Sequence, residues 1–295
     1  MNKDSWGGNW TERKLDAFEK YVKAYLTIMN KNRDKFGWEL IYFDAFAGSG
    51  SRESDQKIEE NAFLFDITDE EKSVYRGAAE RVININLRGF DYYYFIEDDE
   101  ASKIKLEEKL KPVIIGKKLQ VKYCIEDAND YIIKLSEKMK SNTKYRSLTM
   151  VDPFGMQVNW ESLKQLKETK TDLWILIPSG VIINRLLDGN GELPHIEKLV
   201  SFFGLPEAEI KKLFYVKQES RGLFDIENDV KKLPNSIPKI VEVYIRQLKT
   251  IFEFVTSKPL VLLNSHNVPI YHFAFASSNA TALKIANSII GKELK

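Results

Sequence analysis

FDAFAGSG, residues 43–50, decides how the rest of the chain is read. The apolar run Leu40-Ile41-Tyr42-Phe43 ends on an acid, Asp44, and the chain then passes through Ala47, Gly48, Ser49 and Gly50. Glycines let a backbone take left-handed turns and come close to a ligand. A buried strand opening into such a loop marks a nucleotide-type site at the carboxyl end of a parallel sheet. The carboxylate in front of the loop restricts which ligand that is.

Working outward, the same alternation repeats. Upstream, Leu15, Phe18, Val22, Tyr25 and Met29 recur at helical spacing, with Thr11 as the expected N-cap. Downstream, SRESDQKIEENAFLFDITDEEKSVY (51–75) is polar and reads as an insertion, and RGAAERVININL (76–87) as the first crossover helix. YYYFIED is a second strand, ASKIKLEEKLK a helix, LQVKYCIED a strand and ANDYIIKLSEKMK a helix. SLTMVDPFG is a strand and turn, WESLKQLKE a helix and DLWILIP a fifth strand. Strands separated by helices predict a parallel sheet covered on both faces. From Ser179 to Pro234 the pattern changes to short helical pieces with no strand signal. IPKIVEVYIRQLKTIFEFV (237–255) then reads as one long amphipathic helix. KPLVLLN and PIYHFAFASS form a hairpin-like pair, and NATALKIANSII is a closing helix.

The strands end in acids: Asp44, Glu97, Asp127 and Asp152. One acid at a strand end is unremarkable, because Asp favours turns and helix caps. Four of them converging on one crevice point at a shared ligand. A dinucleotide fingerprint requires a third glycine in phase, and the residues after Gly50 lack it. The Gly-Lys-Ser/Thr of a P-loop is absent as well. A loop carrying carboxylates and no lysine suits a ligand with a cationic, amino-acid-like end and ribose hydroxyls, and S-adenosylmethionine is such a ligand.

Composition narrows the class further. In 295 residues, 43% are hydrophobic and 12% aromatic, enough for a large core, and the charges nearly cancel at +1. Net charge therefore gives no support for a generic nucleic-acid binder. A lone cysteine, Cys124, precludes an intrachain disulfide and suits a reducing cytoplasm. No apolar run approaches the roughly 20 residues of a membrane span. The first residues lack the apolar core of a signal peptide.

DAFAGSG resembles the first motif of class I S-adenosylmethionine-dependent methyltransferases. WTERKLDAFEKYVKAY, YFDAFAGSG, FIEDD, DANDYI, VDPFGMQV, DLWILIPSGVIINR and PIYHFAFASSN, in that order, resemble the three-Cys-motif partner (TcmP) family over roughly residues 10–290. The resemblance implies a Rossmann-like, doubly wound, mostly parallel sheet with an antiparallel last strand. It places a core at 1–178 and 235–295 and a helical insertion at 179–234 as a lid or substrate subdomain. It implies S-adenosylmethionine as cofactor. Asp44 would lie near the cofactor ammonium, with Phe46, Ala47, Gly48, Ser49 and Gly50 around the methionine moiety. Glu97 would take the ribose hydroxyls, and Asp127, with Ala128 alongside, the adenine amino group. A three-cysteine-motif partner protein is the implied companion.

VDPFG (151–155) has two readings. In one it is a β-turn, with Pro153 presetting φ, Gly155 ending the turn and Asp152 bonding back to the backbone. In the other it resembles the Asp/Asn-Pro-Pro-aromatic motif of amino-methyltransferases that act on nucleic-acid bases. Asp152 would then accept from the target amine, Pro153 would stiffen the turn and Phe154 would stack on the base. The motif here has one proline instead of two. The rival to catalysis is a non-catalytic subunit of the same fold acting through the three-cysteine-motif protein.

Trp10 and Lys14 belong to a segment that folds over the cofactor in related enzymes, with core packing as the alternative for Trp10. Arg185 opens the insertion and would contact an anionic substrate or sit in a surface ion pair. The lysines between Lys103 and Lys122 are interrupted by Glu107 and Glu108 and read as a solvated face. His195, His266 and His272 lack metal-ligand spacing, no metal is expected, and none of the three is assigned a role.

Overall fold

The computed structural model describes residues 9–49, 77–153, 155–189, 191–217, 230–264 and 266–293. Its centre is an eight-stranded sheet. Strands β1 (Glu39–Asp44), β2 (Tyr92–Glu97), β3 (Val121–Ile125), β4 (Tyr145–Val151) and β5 (Thr171–Ile177) are parallel. Two edge strands, β8 (Phe254–Val255) and β9 (Leu260–Leu263), both pair antiparallel with β10 (Pro269–Ser277), which is itself antiparallel to β5. The order β3-β2-β1-β4-β5-β10-β8 reverses direction between β1 and β4. This is the Rossmann-like, doubly wound arrangement of methyltransferase type, with the last strand antiparallel and inside the sheet.

Burial explains why these runs are strands. All but the first residue of β1 is buried, as are the last five residues of both β4 and β5. Nearly continuous apolar runs are what a parallel sheet with both faces covered demands. One helix layer contains α1 (Asn9–Phe36), α2 (Ala78–Asn84), α3 (Glu100–Lys117) and, after β10, α9 (Ala280–Glu293). The other contains α4 (Ala128–Ser141), α5 (Trp160–Lys164), α6 (Ile196–Phe203) and α8 (Ser236–Ile251). Phe18 and Tyr21 of α1 pack edge-on against Trp174 of β5 at centroid distances of 6.4 and 5.4 Å. The Tyr21 hydroxyl donates to Asp172 at 2.7 Å. Burial raises the Asp172 carboxyl to about 6, and the bonds from Ser277 and Tyr21 oppose the rise.

Four local expectations are corrected. Thr11 does not cap α1, which begins at Asn9. α3 does not stop before Pro112 but runs through it, closing where Lys118 takes φ 52° and donates to Ile114 O. The amphipathic run through residue 255 breaks at Ile251, and Phe254–Val255 leave the helix to pair with β10. The 179–234 segment also contains strand. After α6 and α7 (Glu207–Phe214), β6 (Tyr215–Lys217) pairs antiparallel with β7 (Val230–Lys232). These strands have only three residues each, too few to show a period of two in sequence.

Within the 179–234 segment, α6 packs against α8 and α5. Phe202 stacks on Tyr244 of α8 at 4.6 Å. α6 ends at Gly204, whose φ is 63° and where a Cβ would lie 1.9 Å from Trp160 Cδ1. Only glycine fits both the left-handed turn and that approach. Among the described residues no helix is long and apolar enough to cross a membrane.

Candidate cofactor and acceptor site

Sheet register brings the strand-end acids together. Asp44 pairs with Phe95 on one side and with Met150 on the other, so Glu97 and Asp152 each lie two residues beyond its level. Glu97 pairs with Ile125, which puts Asp127 two residues farther again. The four carboxylates therefore fan across the carboxyl ends of β3, β2, β1 and β4, around the switch point where such sheets bind ligands.

Backbone bonds stitch the loop after β1 to its neighbours. Ala45 N–H donates to Met150 O at 3.0 Å and Ala47 N–H to Ile96 O at 2.9 Å. Gly48, at φ 62°, donates to Glu97 Oε2 at 2.8 Å. The other Glu97 oxygen accepts from Asp99 N–H at 3.1 Å. Glu97 is thus a clamp on the glycine loop as well as a strand-end acid. Asp127 caps α4, accepting from Asn129 N–H at 2.7 Å.

These loops enclose a hollow of about 270 Å³. Ala45, Phe46, Ile96 and Glu97 line one side, and Asp127, Ala128, Asn129, Gln157 and Asn159 line the other, with Asp98 and Glu126 at its edge. Asn129, almost fully buried, holds the far wall. Its Nδ2 donates to Gln157 O at 2.8 Å, and its Oδ1 accepts from Asn159 N–H at 2.8 Å and Ser162 Oγ at 2.7 Å. Gln157 Oε1 is buried and has no hydrogen-bond partner among the described residues.

Beside the hollow lies a buried charge cluster. Lys14, with no exposed surface, reaches from α1 to an ion pair with Asp152 Oδ2. Asp152 Oδ1 is buried and unpartnered among the described residues. Asp44, 2% exposed, accepts from the Tyr42 hydroxyl at 3.1 Å and from Phe46 N–H at 3.3 Å. Burial, and next the Asp152 charge, raise the Asp44 carboxyl to about 7, while Tyr42, Phe46 N–H and Lys14 pull the other way. Burial also raises Asp152, opposed by Lys14. Two buried carboxylates thus face one lysine, and an added cation would relieve them.

The expected residues divide accordingly. Phe46, Glu97, Asp127 and Ala128 line one hollow, while Ala47, Gly48 and Ser49 continue the loop bonded to it. Asp44 and Asp152 form the adjacent cluster. Pro153 is buried, and Gly155, at φ 82°, would set a Cβ 3.2 Å from Ile182 Cδ1. The turn reading had Asp152 bonding back to the local backbone. Instead its Oδ2 binds a lysine 138 residues away. Lys14, a substrate candidate in the segment that precedes the sheet, is that buried counter-ion. Arg185 is exposed in the turn Asn184–Leu186 and does not line the hollow. Gly50, Phe154 and the 51–75 insertion lie outside the described residues, as does the side chain of Trp10. Among the described residues no His/Cys/Asp/Glu group is arranged to hold a metal.

Three features went unread in the sequence. Lys14 occupies the same helical stripe as Phe18 and Tyr25, and a lysine on an apolar stripe was the available signal. Asn129 and Gln157 carry no motif. His272 is buried, bonds Ser179 at 2.7 Å at the start of a π-helical turn (Ser179–Ile183), and is lowered to about 4 by burial.

No family model matches the chain, and no curated protein matches it in sequence. Two solved structures are similar to parts of it. One is yhhF from Escherichia coli, provisionally assigned as a methyltransferase. It is 15% identical, with a TM-score of 0.25, over 52% of this chain and 66% of that one. The other, from Clostridium thermocellum, is provisionally assigned as an rRNA methylase. It is 12% identical, with a TM-score of 0.24, over 70% of this chain and 95% of that one. Scores this low leave the fold to the strand order and the function to the site itself.

Proposed function

We propose that the protein is an S-adenosylmethionine-dependent methyltransferase acting on an amine nitrogen. The observation that carries this reading is the buried surplus of carboxylate over lysine at the switch point, beside a hollow of nucleoside size. The donor set fits the cofactor. Asp44 would hold the ammonium end, and Glu97 would take the ribose hydroxyls. Asp127 and Gln157 Oε1, which has no partner among the described residues, would hold the adenine amino group, with Phe46 and Ala128 lining the same hollow.

When bound, the cofactor supplies an electrophilic methyl group on a sulfur that leaves as a neutral thioether. Asp152 Oδ1 accepts one N–H of the acceptor amine and turns the nitrogen lone pair toward the methyl group. Pro153, buried beside it, stiffens the chain that carries that oxygen. Alignment of this kind provides most of the catalysis when the leaving group is already good. The nitrogen carries a surplus proton after transfer, and the raised Asp152 carboxyl is the adjacent group able to take it. The acceptor class is a nucleic-acid base, flipped out of any duplex. The 179–234 insertion forms the acceptor-side subdomain, acting in the cytoplasm.

The single proline at 152–155 favours a second reading. In it the chain is the non-catalytic, TcmP-type partner of a three-cysteine-motif protein. Thermal shift with S-adenosylmethionine and S-adenosylhomocysteine, followed by tritium transfer to DNA, tRNA, rRNA and partner protein, separates the readings. Binding with transfer supports the enzyme, and binding without transfer supports the partner subunit. A melting temperature unmoved by either ligand removes the enzyme reading and favours the non-catalytic subunit.

A further inference from the structure

We infer that Lys14 is a positioning residue for methyl transfer, holding one oxygen of Asp152 so that the other stays free for the acceptor amine. The inference rests on the proposed function for its second half and on geometry alone for its first.

The two oxygens of Asp152 are in different states. Oδ2 is paired with a lysine that has no exposed surface, and Oδ1 is buried without a partner among the described residues. A buried carboxylate with nothing holding it would take up a proton or rotate about its last torsion. Protonation would turn one oxygen into a donor, and rotation would exchange the two. An ammonium on Oδ2 opposes both, because it favours the charged form and occupies one oxygen. Burial alone pushes Asp152 toward the protonated state, and Lys14 is the group that opposes it.

The lysine is itself held from behind. Arg81 of α2 ties down the first turns of α1, bonding Asp16 at 2.5 Å, Glu19 at 3.3 Å and also Glu12. The Arg13 guanidinium donates to the Glu293 carbonyl at the end of α9, and Lys20 reaches the Glu293 side chain at 2.5 Å. The helix preceding the sheet is thereby locked at both flanks, and Lys14 projects from it into the site. Groups that must hold a geometry to a fraction of an ångström are best carried on elements fixed in this way.

The test uses the full chain as wild type, Lys14→Arg, Lys14→Met and the double variant Lys14→Met/Asp152→Asn. Three quantities are read: S-adenosylhomocysteine affinity by calorimetry, the Asp152 titration by carboxyl carbon NMR, and tritium transfer to total RNA and DNA across pH. Lys14→Met is expected to bind S-adenosylhomocysteine at least as tightly as wild type, because Lys14 does not line the hollow and its loss leaves more negative charge beside Asp44. Its Asp152 midpoint moves up, its transfer rate falls about 100-fold, and the acid limb of its pH profile moves to higher pH. Lys14→Arg restores part of the rate. If Lys14→Met fails to fold, the double variant, which buries no unpaired charge at this pair, folds, binds and does not transfer. An unmoved Asp152 midpoint, or wild-type transfer with an unmoved acid limb in Lys14→Met, overturns the inference. Should wild type neither bind nor transfer, the methyltransferase reading fails by itself, and the Asp152 titration still decides whether Lys14 holds that carboxylate.

Discussion

Asp44 supplies the sharpest test of the charge cluster, because replacing it should move stability and ligand affinity in opposite directions. Its carboxyl rises from 3.8 to about 7 on folding. At about 1.4 kcal/mol per pKa unit, that is about 4 kcal/mol between the charged and neutral forms of a group 2% exposed. The sign follows from proton counting. Between the two values the folded state holds a proton that the unfolded state has released, so stability falls as pH rises through that window. Above it the whole penalty is present. From pH 5 to pH 8 this one group should cost the wild type about 2–3 kcal/mol.

Asp44→Asn removes the titration. The amide oxygen can still accept from the Tyr42 hydroxyl, while the Phe46 N–H loses its acceptor, at a cost of about 1 kcal/mol. The net expectation at pH 8 is a variant about 3 kcal/mol more stable than wild type, with a shallower pH dependence. Urea unfolding of both proteins at pH 5, 6, 7 and 8 measures this. Asp172 also titrates in this window, at about 6, and cancels in the difference. The same variant should bind S-adenosylmethionine more weakly, because the surplus negative charge is gone. Parallel pH slopes for the two proteins, or a less stable variant at pH 8, would refute the claim that Asp44 is buried without sufficient counter-charge.

Gln157→Leu should raise the dissociation constant of S-adenosylhomocysteine about tenfold by calorimetry while leaving the free protein as stable or more so, since it removes a buried unpaired acceptor. Gly204→Ala should destabilise by about 3 kcal/mol or more in urea unfolding, because a left-handed φ and a Cβ 1.9 Å from Trp160 Cδ1 act together. His272, lowered from 6.5 to about 4, is buried neutral, so its contribution is full above pH 6.5 and is lost as pH falls toward 4. His272→Gln should therefore flatten the acid limb of the stability profile between those values, and an unchanged limb would assign it to other groups.

What was legible in the sequence follows from the range of the interactions involved. The sheet could be read because β1, β4 and β5 are continuous apolar runs, and four of the five parallel strands run into Asp44, Glu97, Asp127 or Asp152. The gathering of those acids could be read as well, since parallel strands of similar length put their ends at one level. Lengths of elements were harder. Phe252–Val255 continue an apolar pattern that suits a helix and a strand equally, and only the free edge of β10 decides for the strand. Glu97 illustrates the limit at the site. Its position was visible, but its bond to Gly48 joins residues 49 apart and depends on the loop path. The partner of Asp152 was out of reach altogether, because the choice among the chain's 44 lysines and arginines is made by the packing of α1.

That packing bears on how the two functional readings differ. A subunit that only bound a cofactor would use Asp44, the glycine loop and the hollow, none of which needs an oxygen of Asp152 kept open on the acceptor side. Yet the fold buries Asp152 next to another carboxylate and devotes a fully buried lysine to it, a pair whose net stabilisation is small or negative beside an apolar replacement. It also leaves Oδ1 without a partner among the described residues, which adds a desolvation cost that binding the donor does not recover. Such costs are expected where a group is kept ready for a ligand that arrives later. An acceptor amine, arriving on the side of Asp152 that Lys14 leaves open, would satisfy that oxygen.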